Sequence, residues 1–311
     1  MGARWAAMGP MGQGIALRIL SGLLFAAMVA CIKTVADTVP LGQIVFFRSF
    51  VALLPLVMFL AWRREFPSGL RTRRPWGHAV RALIGAAAMY TSFAALARLG
   101  VAEATLLGYL APLFLTLLAV AILGERLTRS RAAGLGLGFA GVLALTAPDL
   151  VTAAAGVDAR RMTGIGLAVT SALLTAAAMV QIRRLTATEN PGAIAFWFAA
   201  VASLGGLASL HWGWIVPDAP TLGLLVLAGL LGGCAHIAMT VSFKLAEASA
   251  LAPFEYVTLI WAVLADLWLF GTPVGPAFLL ALPLLLTGAA VAGRGERRRA
   301  PSITPPATGA P

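Results

Sequence analysis

Long apolar runs, each ended by a short cluster of charged, Pro or Gly residues, fill the chain from one end to the other. Ten stand out, at about 15–36, 41–62, 78–98, 102–123, 131–148, 164–184, 191–212, 220–244, 250–271 and 275–293. They do not alternate apolar with polar residues as the strands of a membrane barrel would. At a helical rise of about 1.5 Å per residue, nearly all are long enough to cross a hydrocarbon layer about 30 Å thick. The fifth and tenth are short, which predicts less tilt or a place at a subunit contact. The pattern therefore predicts an all-α membrane protein of ten transmembrane helices, in contact with membrane lipids.

Composition sharpens this picture. Of 311 residues, 60% are apolar and 11% charged, with a mean hydropathy of +0.90. Soluble domains carry about 25% charged residues, so this chain cannot clothe a water-facing surface. A net charge of +11 raises the question of nucleic acid. The basic residues lie in short clusters between apolar runs, so no nucleic-acid partner is expected. With the N-terminus inside, 18 Lys and Arg fall in cytoplasmic segments, among them Arg63, Arg64, Arg71, Arg73, Arg74 and Arg81. Only Lys33, Arg98, Arg160 and Arg161 fall opposite, and Arg48 lies within a span. This bias predicts both termini inside a bacterial-type inner membrane. Met28-Val29-Ala30-Cys31 faintly resembles a lipoprotein cleavage box, but the run is long for a signal segment and reads as a retained first span. Cys31 and Cys234 have neither disulfide density nor metal-site spacing.

The chain also repeats itself. Pro40-Leu41-Gly42-Gln43-Ile44-Val45-Phe46-Phe47 echoes Pro191-Gly192-Ala193-Ile194-Ala195-Phe196-Trp197, and Ala102-Glu103-Ala104-Thr105 echoes Ala246-Glu247-Ala248-Ser249. Tyr109 and Gly124 fall 147 residues before Tyr256 and Gly271. Five spans per copy is an odd number, so the second copy must be inverted. The expected organisation is a cytoplasmic N-terminus (1–14), two inverted five-helix repeats (15–148 and 164–293) and a disordered, Arg- and Pro-rich cytoplasmic tail (294–311). Inverted repeats place a solute site near the midplane of a transporter.

At this point the residues resemble a family. Gln43-Ile44-Val45-Phe46-Phe47-Arg48 is similar to the second-span signature of the drug/metabolite transporter superfamily, in its ten-span EamA branch. Tyr109-Leu110-Ala111-Pro112-Leu113-Phe114, running on to Gly124-Glu125-Arg126, resembles the fourth-span motif, and Ala252-Pro253-Phe254-Glu255-Tyr256 resembles its ninth-span counterpart. Thr272 stands where an acidic residue often follows the second Gly. The resemblance implies transport of a small organic solute and names no particular one.

Polar groups inside the spans are the candidate chemistry, because a charge at mid-membrane costs about 2.5–3.5 kcal/mol or more. Arg48 lies about 12 Å into the bilayer and reads either as an anchor for a solute carboxylate or phosphate or as a packing clamp. Glu255 reads as an amine or proton partner, or as a helix-start charge after Pro253. His236 reads as a proton carrier or a hydrogen-bonded packing residue. Tyr90, Tyr109, Phe114, Trp197, Tyr256 and Trp261 could line a cavity, as similar transporters place such rings, or serve packing and the interface. Lys33 and Asp37, four residues apart, read as a local ion pair. Glycines 134, 138 and 141, and 229 and 233, make small faces for helix packing or for a homodimer contact.

The function expected is a secondary transporter of a small-molecule solute, amino acid or related metabolite, working by alternating access, with no enzymatic role and no cofactor. No phosphate-binding G-x-x-x-x-G-K-[ST] loop is present, which argues against ATP hydrolysis. The alternatives are a membrane-embedded enzyme on a lipid-linked substrate, for which His78, His211 and His236 show no catalytic spacing, and a non-transporting scaffold.

Overall fold

A computed structural model describes residues 8–123, 127–151, 158–186, 188–246, 251, 254 and 257–297. The motif residues Gly124, Glu125, Arg126, Glu247, Ala248, Ser249 and Pro253, the candidates Glu255 and Tyr256, and the tail from 298 lie outside these. The helices are α1 (Pro10–Val35), α2 (Leu41–Trp62), α3 (Pro75–Leu96), α4 (Val101–Gly108), α5 (Ala111–Leu123), α6 (Arg129–Val151), α7 (Ala159–Thr186), α8 (Pro191–Ala208), α9 (Ala219–Leu245), α10 (Val257–Trp268) and α11 (Pro276–Arg297). Among the described residues, eight helical segments are long and apolar enough to cross a membrane. Two shorter apolar helices, Val257–Trp268 and Pro276–Val291, complete the set. The chain is a multi-pass helical membrane protein.

The fourth predicted span breaks in two. Pro112 has no N–H to offer the turn before it, and Tyr109 and Leu110 donate instead to Leu106 and Leu107 in a tighter turn. The predicted short fifth span is in fact a 23-residue helix.

Polarity on these helices is inverted relative to a soluble protein. On α2, the residues facing outward at helical spacing are Phe50, Leu54, Met58 and Trp62, while Gln43, Arg48 and Ser49 are buried. Lipid tolerates the apolar stripe, and the polar groups find partners inside. Trp62 and Trp76 at one end, and Trp212 and Trp268 at the other, are each almost fully exposed, as residues of two interfacial belts would be.

The main contacts join helices remote in sequence: α6 with α11, α1 with α9, α3 with α7, and α2 with both α8 and α9. Glycines permit this closeness. A Cβ at Gly206 of α8 would lie 2.6 Å from the Phe46 nitrogen, and one at Gly288 of α11 2.7 Å from the Gly138 nitrogen. The small-residue face of α6 is thus occupied by α11 within the same chain.

Side chains at the helix ends tie the bundle together. At the end carrying the α2–α3 loop, Glu189 is buried against His78 (3.3 Å) and accepts the Arg73 N–H. Arg63 donates to Glu65 at 2.8 Å and holds that carboxyl below its usual range. At the other end, four contacts converge on the short α3–α4 connection. Lys33 donates to the Leu96 and Leu99 carbonyls at 2.8 and 2.9 Å. Asp266 of α10 accepts the Val101 and Ala102 N–H groups at 2.9 and 2.7 Å. Arg160 bridges Asp37 and the Ala97 carbonyl, and Arg161 pairs with Glu103. Lys33 therefore caps the end of α3 rather than bonding Asp37, because the last carbonyls of a helix lack intrahelical donors.

Candidate functional site

Arg48 sits on the inner face of α2 and is 6% exposed. Its guanidinium reaches α9 where that helix carries Gly229, Gly232 and Gly233 in place of larger residues. A Cβ at Gly232 would stand 3.5 Å from Arg48 Nε and 3.7 Å from Nη2, so glycine leaves the space the charge occupies. Nη2 lies 3.2 Å from His236 Nε2. A guanidinium can only donate, so His236 Nε2 must accept and the ring is neutral with its proton on Nδ1. The Phe25 ring meets the imidazole edge-on at 5.0 Å. Nε of Arg48 is buried without a partner, and among the described residues no carboxylate pairs with this charge.

A second arginine enters from α3. Arg81 lies 4.5 Å over the Phe198 ring of α8, and its Nε and Nη1 are buried without hydrogen-bond partners. The side chain turns along α3 toward Gly85, where a Cβ would run into Nη1. Arg48 and Arg81 thus stand on neighbouring helices, α2 and α3, each turned to a glycine, Gly232 and Gly85 respectively. Between α2, α3 and α7 a cleft of about 460 Å³ opens at the Lys33 end of the bundle, lined by Asp37, Ile44, Phe93, Arg98 and Arg160. Ile44 of this cleft is one turn before Arg48 on α2. A smaller cleft of about 330 Å³ at the same end holds Glu103, Arg161 and Asp266. Among the described residues no group of three or more His, Cys, Asp or Glu is placed to hold a metal ion.

This arrangement, with polar groups buried at mid-depth between apolar helices, can be set beside known proteins. The model of the EamA-like transporter family matches residues 12–147. A riboflavin transporter of Rhizobium johnstonii is 30% identical over 289 residues, which cover 90% of this chain and 91% of that protein. The chain belongs to the EamA-like transporter family. A pseudopaline exporter of Pseudomonas aeruginosa is 29% identical over 287 residues, covering 90% of this EamA-family chain and 95% of its relative. A crystal structure at 24% identity shares the fold with a TM-score of 0.64, over 91% of this chain and 98% of that one.

Of the residues singled out in the sequence of this EamA-family member, Arg48 and His236 meet directly. Tyr90 stands on the neighbouring wall, its hydroxyl 3.4 Å from the Gly205 carbonyl. Tyr109 lies at the α4–α5 break, half-buried. Phe114 turns toward α6 and packs edge-on to Phe139 at 5.9 Å. Trp197 donates its indole N–H to the Leu70 carbonyl at 3.1 Å and so fastens α8 to the α2–α3 loop. Trp261 on α10 buries its indole nitrogen without an acceptor. Glu255 and Tyr256 lie outside the described residues. The charge bias places Arg81 in a cytoplasmic segment, yet it lies inside α3. The signal for it was present: it stands three residues inside the predicted apolar run 78–98.

Proposed function

We propose that this EamA-family protein is a secondary transporter that carries a small organic solute across a bacterial inner membrane by alternating access. The two halves, 15–148 and 164–293, rock about a central site in which Arg48 and His236 receive an acidic group of the solute. An amino acid or related metabolite fits this chemistry. Relatives named for riboflavin and for pseudopaline show that kinship alone does not name the cargo.

The observation that carries the reading is Arg48 itself. A guanidinium buried between apolar helices keeps its charge only at a cost of several kcal/mol, and here one neutral ring nitrogen is its hydrogen-bond partner among the described residues. An incoming carboxylate would supply what the protein leaves out. The packing scheme supports two related halves. If each helix of one half is exchanged for its counterpart five spans on, α1 on α9 becomes α7 on α3, and α2 on α9 becomes α8 on α3. The contacts α2 with α8 and α6 with α11 map onto themselves. The charge bias of the loops favours both termini on the cytoplasmic side.

The test is flux into proteoliposomes loaded with a panel of amino acids, nucleoside-like metabolites and vitamins. Arg48→Gln should express and stay monodisperse while flux of the transported solute falls at least tenfold. Undiminished flux in that variant would remove Arg48 from the mechanism.

A further inference from the structure

The family reading leaves Arg81 without a role, and its position is unusual for a basic residue near a helix start. Such a side chain ordinarily runs back to the aqueous boundary. Arg81 does the opposite. Its guanidinium is turned toward Gly85, one turn deeper, which is about 15 Å from the beginning of α3 and close to mid-helix. Arg48 ends at a comparable depth, against Gly232, about 20 Å along the 27-residue α9. In each case a glycine leaves open the space into which the guanidinium is turned. Gly85 and Gly232 are 147 residues apart, the same offset that separates Tyr109 from Tyr256.

Among the described residues, no carboxylate neutralises either charge. Arg63–Glu65, His78–Glu189, Arg160–Asp37 and Arg161–Glu103 are ion pairs at the helix ends, and none of them involves Arg48 or Arg81. Arg81 has the Phe198 face, and Arg48 has the His236 ring. An aromatic face and a neutral imidazole do not replace the hydration of two guanidinium groups. Two guanidinium groups at comparable depth on neighbouring helices, with three of their six nitrogens buried and unpartnered, match a ligand that brings two negative charges.

Resting on the Arg48 site as the place of solute binding, we propose that Arg81 is a second anchor in it, and that the solute is a small organic dianion with one acidic group for each arginine. Arg98 and the Arg160–Asp37 pair line the cleft at the Lys33 end, a net positive charge that suits the approach of such a solute.

The experiment is thermal stabilisation of the purified full-length protein at fixed ionic strength, by succinate, 2-oxoglutarate and phosphoserine against butyrate and serine. The dianions should bind at least tenfold more tightly than the matched compounds with one acidic group fewer. Arg81→Gln should abolish that advantage while leaving butyrate affinity within twofold, and Arg81→Lys should restore part of it. The ligand-free melting temperature of Arg81→Gln should be unchanged or higher, since an unpaired buried charge has been removed; a purely structural arginine would lower it. Arg81→Met provides the same comparison if the Gln variant does not fold. Equal affinity of wild type and Arg81→Gln for the dianions, or no stabilisation by any dianion, overturns the proposal. Stabilisation only by neutral or cationic solutes, lost in Arg48→Gln, overturns it too while leaving transport at the Arg48 site intact.

Discussion

Asp266 offers the sharpest test of how the bundle is held together. It is buried at 3% exposure, and both its oxygens accept N–H groups from the first turn of α4, at 2.9 and 2.7 Å. Those N–H groups have no intrahelical acceptor, so a carboxylate from another helix takes the place of a local cap. The fit is close: a Cβ on Gly100 would stand 2.9 Å from Asp266 Oδ2. In Asp266→Ala both donors are left buried and unsatisfied, at about 1–3 kcal/mol each, for a loss of about 2–6 kcal/mol. Asp266→Asn keeps one acceptor but turns its amide against the other N–H, so it should cost about half as much. Equilibrium unfolding in mixed micelles of mild and denaturing detergent, followed by tryptophan fluorescence, measures both. An Ala variant within about 1 kcal/mol of wild type would mean that the carboxylate does not cap α4, and the account of this end of the bundle would have to be withdrawn.

Two further outcomes follow from the packing. Gly206→Ala places a methyl group 2.6–2.7 Å from the Phe46 backbone, which cannot move aside as a side chain tip would, so α2 and α8 must separate. The variant should lose most of its monodisperse peak in fluorescence-detected gel filtration; a normal yield would show that this crossing is looser than described. Trp197→Phe removes the hydrogen bond to Leu70 and should lower unfolding stability by about 1 kcal/mol with transport largely retained, whereas selective loss of flux would return Trp197 to the solute pathway.

Much of the fold was legible because lipid imposes a simple rule on sequence. A backbone without water must form helices, so apolar runs translate directly into spans, and the run 41–62 coincides with α2. The break at Tyr109 was visible only as Pro112, whose effect depends on whether neighbouring helices accommodate a kink. Arg48 was legible because it lies deep in an apolar run. Its pairing with His236, 188 residues away, was not, because it depends on the register of α2 against α9, set by glycines whose partners a single sequence does not reveal. The depth of Arg81 is not legible in the sequence because it follows a basic cluster, and only the direction of its side chain, toward Gly85, separates it from those charges. Lys33 misled through spacing: a carboxylate four residues away suggested a local pair, but the open carbonyls at the end of α3 claimed the ammonium.

The preference of each helix for a distant partner has a consequence for biosynthesis. α1 ends at Val35, and its principal neighbour α9 begins at Ala219, 184 residues later. At a synthesis rate of about 5–20 residues per second, α1 waits about 10–40 s for that neighbour to be made. α2 waits about two-thirds as long for α8, and α6 for α11. During this interval the inserted chain is a set of loosely associated rods rather than a half-built bundle. Each early helix must persist on its own hydrogen bonds, as the 26 residues of α1 can in lipid, where no water competes for the backbone N–H and C=O groups. The last helices to leave the ribosome are thus the ones that convert a string of separate spans into a folded protein.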